Sequence, residues 1–398
     1  MKRLSTCVLF AGLLLPATPS LAAPPPPQET ETPLDDQAAS PEQLARPEPT
    51  EQAIDAADFE GWRERLDARA KAEEERKRDR EQERRVDKAE RKSAKKSAER
   101  GADEPAKAAS REKDLDEQPD PFLIRVQILL DRAHASPGVI DGRDGDNLRK
   151  AIRAFETMRG LEPDGEMDPE FWSALAADSA KSTLVYEITP EDVNGRYVPE
   201  LPEDYSKLAK LKWLGYRDAA EMLAERFHMD EKLLRALNPD VDFKTPGQKI
   251  LVADVGPPPE AKVAKIVVDK DGGELRAYDR DEKLVMATPA TVGSSDTPSP
   301  SGRMKITGSY PDPHYKYDPV KNFRQGDNRR KLNLPPGPNG PVGSMWIDLS
   351  KPTYGIHGTP EPAKIDKTNS HGCVRLTNWD AATLAKMVEP GKTTVEFR

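Results

Sequence analysis

Apolar positions along the chain fall into blocks of different period. The first is a short run from Cys7 to Pro16, preceded by Lys2 and Arg3 and followed by small residues at Ser20, Ala22 and Ala23. That is the layout of a secretory signal, assigned to residues 1–22. It is shorter than the roughly 20 apolar residues a spanning helix needs, so no transmembrane helix is expected after signal removal. From 23 to 118 large apolar residues become sparse. Pro24–Thr50 is rich in proline, glutamate and alanine and reads as a disordered or extended linker. Gly61–Arg100 mixes charges of both signs, as in Glu73-Glu74-Glu75-Arg76-Lys77-Arg78, with too few apolar residues for a heptad seam. Ala, Glu, Lys and Arg favour helix, and opposite charges three or four apart assist it. A solvated helical spacer is expected there, with disorder as the alternative.

Helical periodicity begins at Pro121. Phe122, Val126, Leu129 and Leu130 share one face, and Leu148, Ile152 and Phe155 mark a second helix. Asp168-Pro169 opens a third, carrying Phe171, Trp172 and Leu175. Gly138, Asp141-Gly142, Gly145 and Pro163-Asp164-Gly165 supply the turns, so a small helical unit is expected over 119–180. Lys181–Asp204 reads as a polar connection with some strand-like residues. A second unit, 205–254, holds two amphipathic helices, Ala219–Phe227 and Asp230–Asn238, before Pro246-Gly247 turns into a strand.

After the stiff linker Val255-Gly256-Pro257-Pro258-Pro259 the period changes to that of strands. Val263–Asp269, Leu275–Tyr278, Leu284–Val292, Met345–Leu349, Tyr354–Ile356 and Thr393–Phe397 are predicted strands, with a hairpin turn at Asp271-Gly272-Gly273. One helix, Trp379–Val388, is expected to be capped by Asn378 or Asp380. A mostly β domain over 262–398 results, with a glycine- and proline-rich excursion from Tyr310 to Val342. Loops of that length are functional lids or disordered.

Composition then narrows the function. Of 398 residues, 36% are hydrophobic, 33% are charged and 38 are proline, which places a long polar segment beside ordinary domains. The net charge of −9 lacks the basic excess that displaces phosphate counterions, so no nucleic-acid partner is expected. Export changes the cysteine arithmetic. Of the two cysteines, Cys7 leaves with the signal, and Cys373 is left without an internal disulfide partner.

Cys373 sits in Ser370-His371-Gly372-Cys373-Val374-Arg375, sixteen positions after His357 in Gly355-Ile356-His357-Gly358-Thr359. A cysteine nucleophile needs a base, a group orienting that base, and donors for the oxyanion. Ordinary thiol and imidazole pKa values, about 8.5 and about 6.5, let such a pair exchange a proton near neutrality. Gly372 admits close backbone approach to a substrate carbonyl. Arg375 adds positive charge that favours thiolate or a substrate carboxylate. The competing readings are a buried core cysteine and a zinc site using His357, His371 and Cys373. The zinc reading lacks a fourth ligand and a neighbouring general-base glutamate, so no metal and no cofactor is assigned.

The Ile-His-Gly-Thr and Ser-His-Gly-Cys-Val-Arg segments resemble the catalytic domain of YkuD-type L,D-transpeptidases. Thr297-Pro298-Ser299-Pro300-Ser301-Gly302-Arg303-Met304-Lys305-Ile306 is similar to that family's upstream Thr-Pro-x-Gly segment, with a two-residue stutter. The 119–180 unit resembles a small peptidoglycan-binding domain through Val126–Leu130, Ile140-Asp141-Gly142, Ala151–Phe155 and Gly160–Gly165 followed by Trp172. The 205–254 unit, with Leu237-Asn238-Pro239 after its second helix, resembles a LysM glycan-binding module lacking an evident first strand. The implied fold is multidomain: a mainly β catalytic domain (a YkuD-type β-sandwich) over 262–398 follows a small α-helical peptidoglycan-binding domain, a LysM-like module and a disordered or charged helical N-terminal region over 23–118.

The resemblance also implies roles. Cys373 would be the nucleophile and His357 the base, its other ring nitrogen held by a carbonyl near Gly358. His371 would line the site, and the His371–Cys373 backbone, Gly372 included, would supply oxyanion donors. Ser370, Arg375, Gly358 and Thr359 would shape the pocket. The implied reaction is transfer of a peptidoglycan stem tetrapeptide through a cysteine thioester to an amine. The acceptor would be another stem, giving a 3-3 cross-link, or an envelope protein. Water as acceptor would make an L,D-carboxypeptidase, and a degenerate site a non-catalytic wall-binding scaffold. An exported, periplasmic, wall-associated protein is implied.

Overall fold

The computed structural model describes residues 47–93, 118–293, 298–320, 323–368, 370 and 372–398. The signal segment and His371 lie outside the described residues, as does most of the proline-rich linker.

The first helices, α1 (Glu51–Asp55) and α2 (Phe59–Ser93), depart from the expected solvated spacer. Ile54 is fully buried, and Phe59 is buried against Trp62 and Phe122, with the Trp62 and Phe122 rings stacked at 5.0 Å. Asp55 accepts the Ser182 N–H at 2.9 Å. Three apolar residues at the front of the charged block thus dock the chain on the next unit. Farther along α2 the helix surface is held by i,i+4 pairs such as Arg85–Glu81 at 2.8 Å, which add a few tenths of a kcal/mol each.

The helical unit consists of α3 (Pro121–Arg132), α4 (Asp146–Arg159) and α5 (Pro169–Leu175). Asp120 and Asp168 cap α3 and α5 by accepting from Phe122 N and Phe171 N, each with proline in the first turn. Leu148, Ala151, Ile152 and Phe155 bury one face of α4.

The next unit begins earlier than residue 205. β1 (Thr183–Glu187), inside the expected polar connection, pairs antiparallel with β2 (Lys249–Ala253). Between them lie two short helices, α6 (Pro190–Val193) and α7 (Tyr205–Leu208), and then the longer α8 (Ala219–Arg226) and α9 (Glu231–Leu237).

The C-terminal strands are β3 (Lys265–Asp269), β4 (Glu274–Tyr278), β5 (Leu284–Pro289), β6 (Gly302–Pro311), β7 (Tyr315–Tyr317), β8 (Leu332–Leu334), β9 (Met345–Leu349), β10 (Gly355–His357), β11 (Val374–Arg375) and β12 (Thr394–Phe397). Among the described residues, eight form one sheet in the order β11-β10-β9-β6-β12-β3-β4-β5, while β7 and β8 form a separate hairpin. β6 joins the two halves. Its Gly302–Lys305 portion pairs with β12, its Ile306–Pro311 portion with β9, and the register shifts between Ile306 and Gly308. The enclosed core includes Ile266, Val268, Ile306, Ile347, Ile356 and Val395, covered by Leu384 of α10 (Asn378–Met387). The α10 cap is Thr377, not Asn378 or Asp380: Thr377 Oγ1 accepts the Asp380 N–H at 3.1 Å. Asp380 is instead buried as an acceptor for Thr377, Thr288 and Ser136.

The units are bolted together by backbone bonds. His134–Ser136 extends the sheet edge at β5, through Ser136 N to Ala287 O (2.9 Å) and Ala287 N to His134 O (3.0 Å). Ile140 bridges to the α8–α9 turn by bonds with His228 O and Asp230 N, each 2.9 Å. The His228 ring bonds Asp131 at 2.8 Å and stacks on Trp379 at 5.0 Å, so one imidazole touches all three units.

Candidate active site

β10 and β11 are parallel neighbours in register, with Ile356 opposite Val374 and His357 opposite Arg375. Cys373 precedes β11 and so lies level with Gly355. Alternation then sends His357, Cys373 and Arg375 to one face of the sheet end. His357 is buried. Its Nδ1 faces the Gly358 carbonyl at 2.7 Å. A carbonyl can only accept, so Nδ1 carries the hydrogen and Nε2 of the neutral ring keeps its lone pair. The ring stacks on Trp346 of β9, its register partner, with centroids 5.5 Å apart and planes 13° apart.

The Cys373 thiol points toward the Thr353 carbonyl at 3.8 Å. Thr353 holds φ at 73°, a strained value for a β-branched residue. Gly372 at φ 107° makes the turn into Cys373. Its N–H donates to Ser370 Oγ at 3.1 Å, and Ser370 Oγ also bonds the Cys373 carbonyl. Ser370 therefore ties the nucleophile turn together. Thr359 does the same for its own loop, accepting from Glu361 N at 3.3 Å.

Behind His357, Asn378 fills the space beside Gly358: a Cβ on that glycine would meet Asn378 Oδ1 at 2.2 Å. Asn378 accepts from Ser344 N at 3.1 Å and donates to Glu225 of α8 at 2.9 Å. The base loop is thus braced from the preceding unit.

Electrostatics correct one expectation. Burial moves the resting pair toward its neutral forms. It pulls His357 down to about 4; the Gly358 bond opposes this, and Arg375 adds to it. Burial also raises the Cys373 thiol, outweighing the Gly355 backbone bond and Arg375. Arg375 favours thiolate, as expected, but desolvation wins.

A groove of about 1100 Å³ runs past Thr353 and Trp346 beneath the β7–β8 hairpin, with Tyr315, Lys316 and Lys331 in its walls. Trp346, Thr353 and the bracing role of Asn378 escaped sequence reasoning, whereas Tyr315, with His314 in the long excursion, is a substrate-contact candidate on sequence alone. Strand pairing with β10 is the signal that identifies Trp346; Thr353 has none in its local pattern. The described residues include no helix long and apolar enough to cross a membrane.

Residues 264–397 match the YkuD family, described as "L,D-transpeptidase catalytic domain", and residues 120–175 match a "Putative peptidoglycan binding domain". A Bacillus licheniformis protein named "Putative L,D-transpeptidase YkuD" is 32% identical over 176 residues, covering 44% of this chain and 90% of that protein. A protein of the same name from Bacillus subtilis is 28% identical over 175 residues, with the same 44% and 90% coverage. Among solved structures, an L,D-transpeptidase from Xylanimonas cellulosilytica is 15% identical, with a TM-score of 0.31 over 70% of this chain and 94% of that one. The strand-borne His357, the thiol at the start of the neighbouring strand and the matched segment around them have one common explanation: this chain belongs to the YkuD-type L,D-transpeptidase family.

Proposed function

We propose that the protein is an exported, periplasmic cysteine acyltransferase that cleaves peptidoglycan stem tetrapeptides and passes the acyl group to an amine. The observation that carries this reading is the thiol one strand from an imidazole whose Nδ1 is fixed by Gly358, leaving Nε2 as base.

The thiol sulfur attacks the carbonyl carbon of the third stem residue while its proton passes to His357 Nε2. Backbone N–H groups around Cys373 and His371 receive the oxyanion. Collapse breaks the bond to the terminal D-Ala, whose nitrogen takes the proton from His357. An acceptor amine then attacks the thioester, His357 removes its proton, and the sulfur leaves and is reprotonated. A second stem as acceptor gives a 3-3 cross-link, an envelope protein gives wall attachment, and water gives an L,D-carboxypeptidase. Ser370 and Gly372 set the turn that aims the sulfur, and Thr359 and Gly358 shape the base loop. Arg375, with Lys316 and Lys331 in the groove, suits a donor carrying carboxylates.

The helical unit over 119–180 and the following unit up to residue 254, whose paired strands β1 and β2 flank α8 and α9 after two shorter helices, support wall recognition, the second as a LysM-like module. Their backbone bonds to the catalytic sheet favour a fixed orientation of wall relative to active site over loose tethering.

The test is incubation of the full chain with disaccharide tetrapeptide, with products read by mass spectrometry. Cross-linked dimer with loss of D-Ala supports the transferase. Tripeptide alone assigns the carboxypeptidase. Unchanged substrate leaves only the wall-binding scaffold.

A further inference from the structure

The β7–β8 hairpin stands over the site yet belongs to a different sheet from the rest of its domain. Its apolar residues need a core, and they find it outside the domain. Leu208 and Leu214 pack with Tyr317 and Leu334 in a separate small cluster. Tyr205 is its hub, meeting Tyr315, Tyr317 and Phe323 edge to face at centroid distances of 6.2, 5.3 and 6.0 Å. Polar bonds fasten the same contact. Gln325 accepts from Tyr205 N at 3.2 Å and donates to Glu203 O at 2.9 Å. Leu214 bonds Pro336 O and Asn339 N through its backbone, at 2.8 and 2.9 Å. A Cβ at Gly337 would meet the Leu214 carbonyl oxygen at 2.2 Å, so the two backbones lie in close contact.

This clasp reaches the chemistry. Tyr315 lines one groove with Thr353, whose carbonyl faces the Cys373 thiol at 3.8 Å. We infer that residues 201–216, inserted between α6 and α8 of the preceding unit, are the fixed half of the active-site roof, and that Tyr205 is a positioning residue holding the hairpin and Tyr315 over the donor at Cys373. The inference rests on the acyl-transfer reading above. It makes the donor site a joint product of two units: the 262–398 domain carries the reacting groups, and the insertion sets the shape of the groove they open into.

The experiment uses full-length wild type, Tyr205→Phe, Tyr205→Ala and Gln325→Ala. D-Ala release from tetrapeptide gives kcat and KM, and iodoacetamide alkylation reads the accessibility of Cys373 without a donor. Tyr205→Ala should lose tenfold or more in kcat/KM, mainly through KM, while alkylation stays within twofold of wild type or rises. Tyr205→Phe, which keeps the ring contacts, should restore donor KM. Gln325→Ala should shift KM in the same direction, and it decides alone if Tyr205→Ala fails to fold. Wild-type KM in the folded alanine variants overturns the inference. Equal loss of alkylation and turnover also overturns it, because the insertion then supports the whole site instead of its roof. A wild-type enzyme that alkylates but releases no D-Ala refutes the acyl-transfer reading itself.

Discussion

The neutral resting pair has a direct kinetic consequence, and His357→Gln is the perturbation that exposes it. With His357 at about 4, the ring at pH 7 is neutral over protonated by about 1000 to 1. Burial holds Cys373 above the ordinary thiol range, so the resting sulfur carries its proton at pH 7. His357 therefore contributes no imidazolium to stabilise thiolate in the empty site. Its work is confined to taking the proton during attack. Removing such a base costs about 10² to 10⁴ in rate. Turnover of His357→Gln should fall by that factor, while iodoacetamide alkylation at pH 7 stays within about twofold of wild type. Wild-type alkylation should rise about tenfold per pH unit from 6 to 8, and kcat/KM should keep its acid limb near pH 4. The assays are D-Ala release and intact mass after timed alkylation. An alkylation plateau between pH 5 and 7 that disappears in His357→Gln would show a preformed ion pair and refute the reasoning.

Other consequences concern stability. Phe59→Ala should destabilise the full chain by about 3 kcal/mol in urea titration, the usual cost of truncating a buried phenylalanine, whereas a loss below about 1 kcal/mol would return this segment to the solvent. Glu225 is raised to about 7, chiefly by burial. Its folded form holds a proton that the unfolded chain loses above pH 4.5, so its contribution is full below 4.5 and is lost as pH rises to 7. Glu225→Gln keeps an acceptor for Asn378 and Tyr216, and its melting temperature relative to wild type should climb between pH 5 and 8. A pH-independent difference would mean that the carboxyl titrates normally.

Much of the site was legible in the sequence because its chemistry is local. His357 and Cys373 lie in short segments whose glycines and charges stand out from the surrounding texture. The elements that went unseen have physical reasons. β6 alternates correctly at Met304, Ile306 and Gly308, but its third inward position is a glycine and its end is Pro311, so it lacks the continuous apolar texture of a strand. β1 shows only as strand-like residues in a polar connection, because its Val185 faces solvent and its partner β2 lies far along the chain. The docking of Ile54, Phe59 and Trp62 was lost in the average charge of the long segment that follows. The excursion carrying Tyr315 reads as a lid from its length, but its partner Tyr205 does not, because the two tyrosines are brought together from positions 110 residues apart. The pKa values needed burial, which sequence spacing does not report.

The covalent step is the claim on which the rest depends. Full-length protein mixed with a tetrapeptide donor, without acceptor amine, is quenched in acid and weighed intact. The mechanism predicts an added mass equal to the donor less D-Ala, located on the peptide containing Cys373 and removed by hydroxylamine. Cys373→Ala, with an unchanged melting temperature, should show no adduct and no D-Ala release. D-Ala released by the folded Cys373→Ala variant, or an adduct on any other residue, would contradict it.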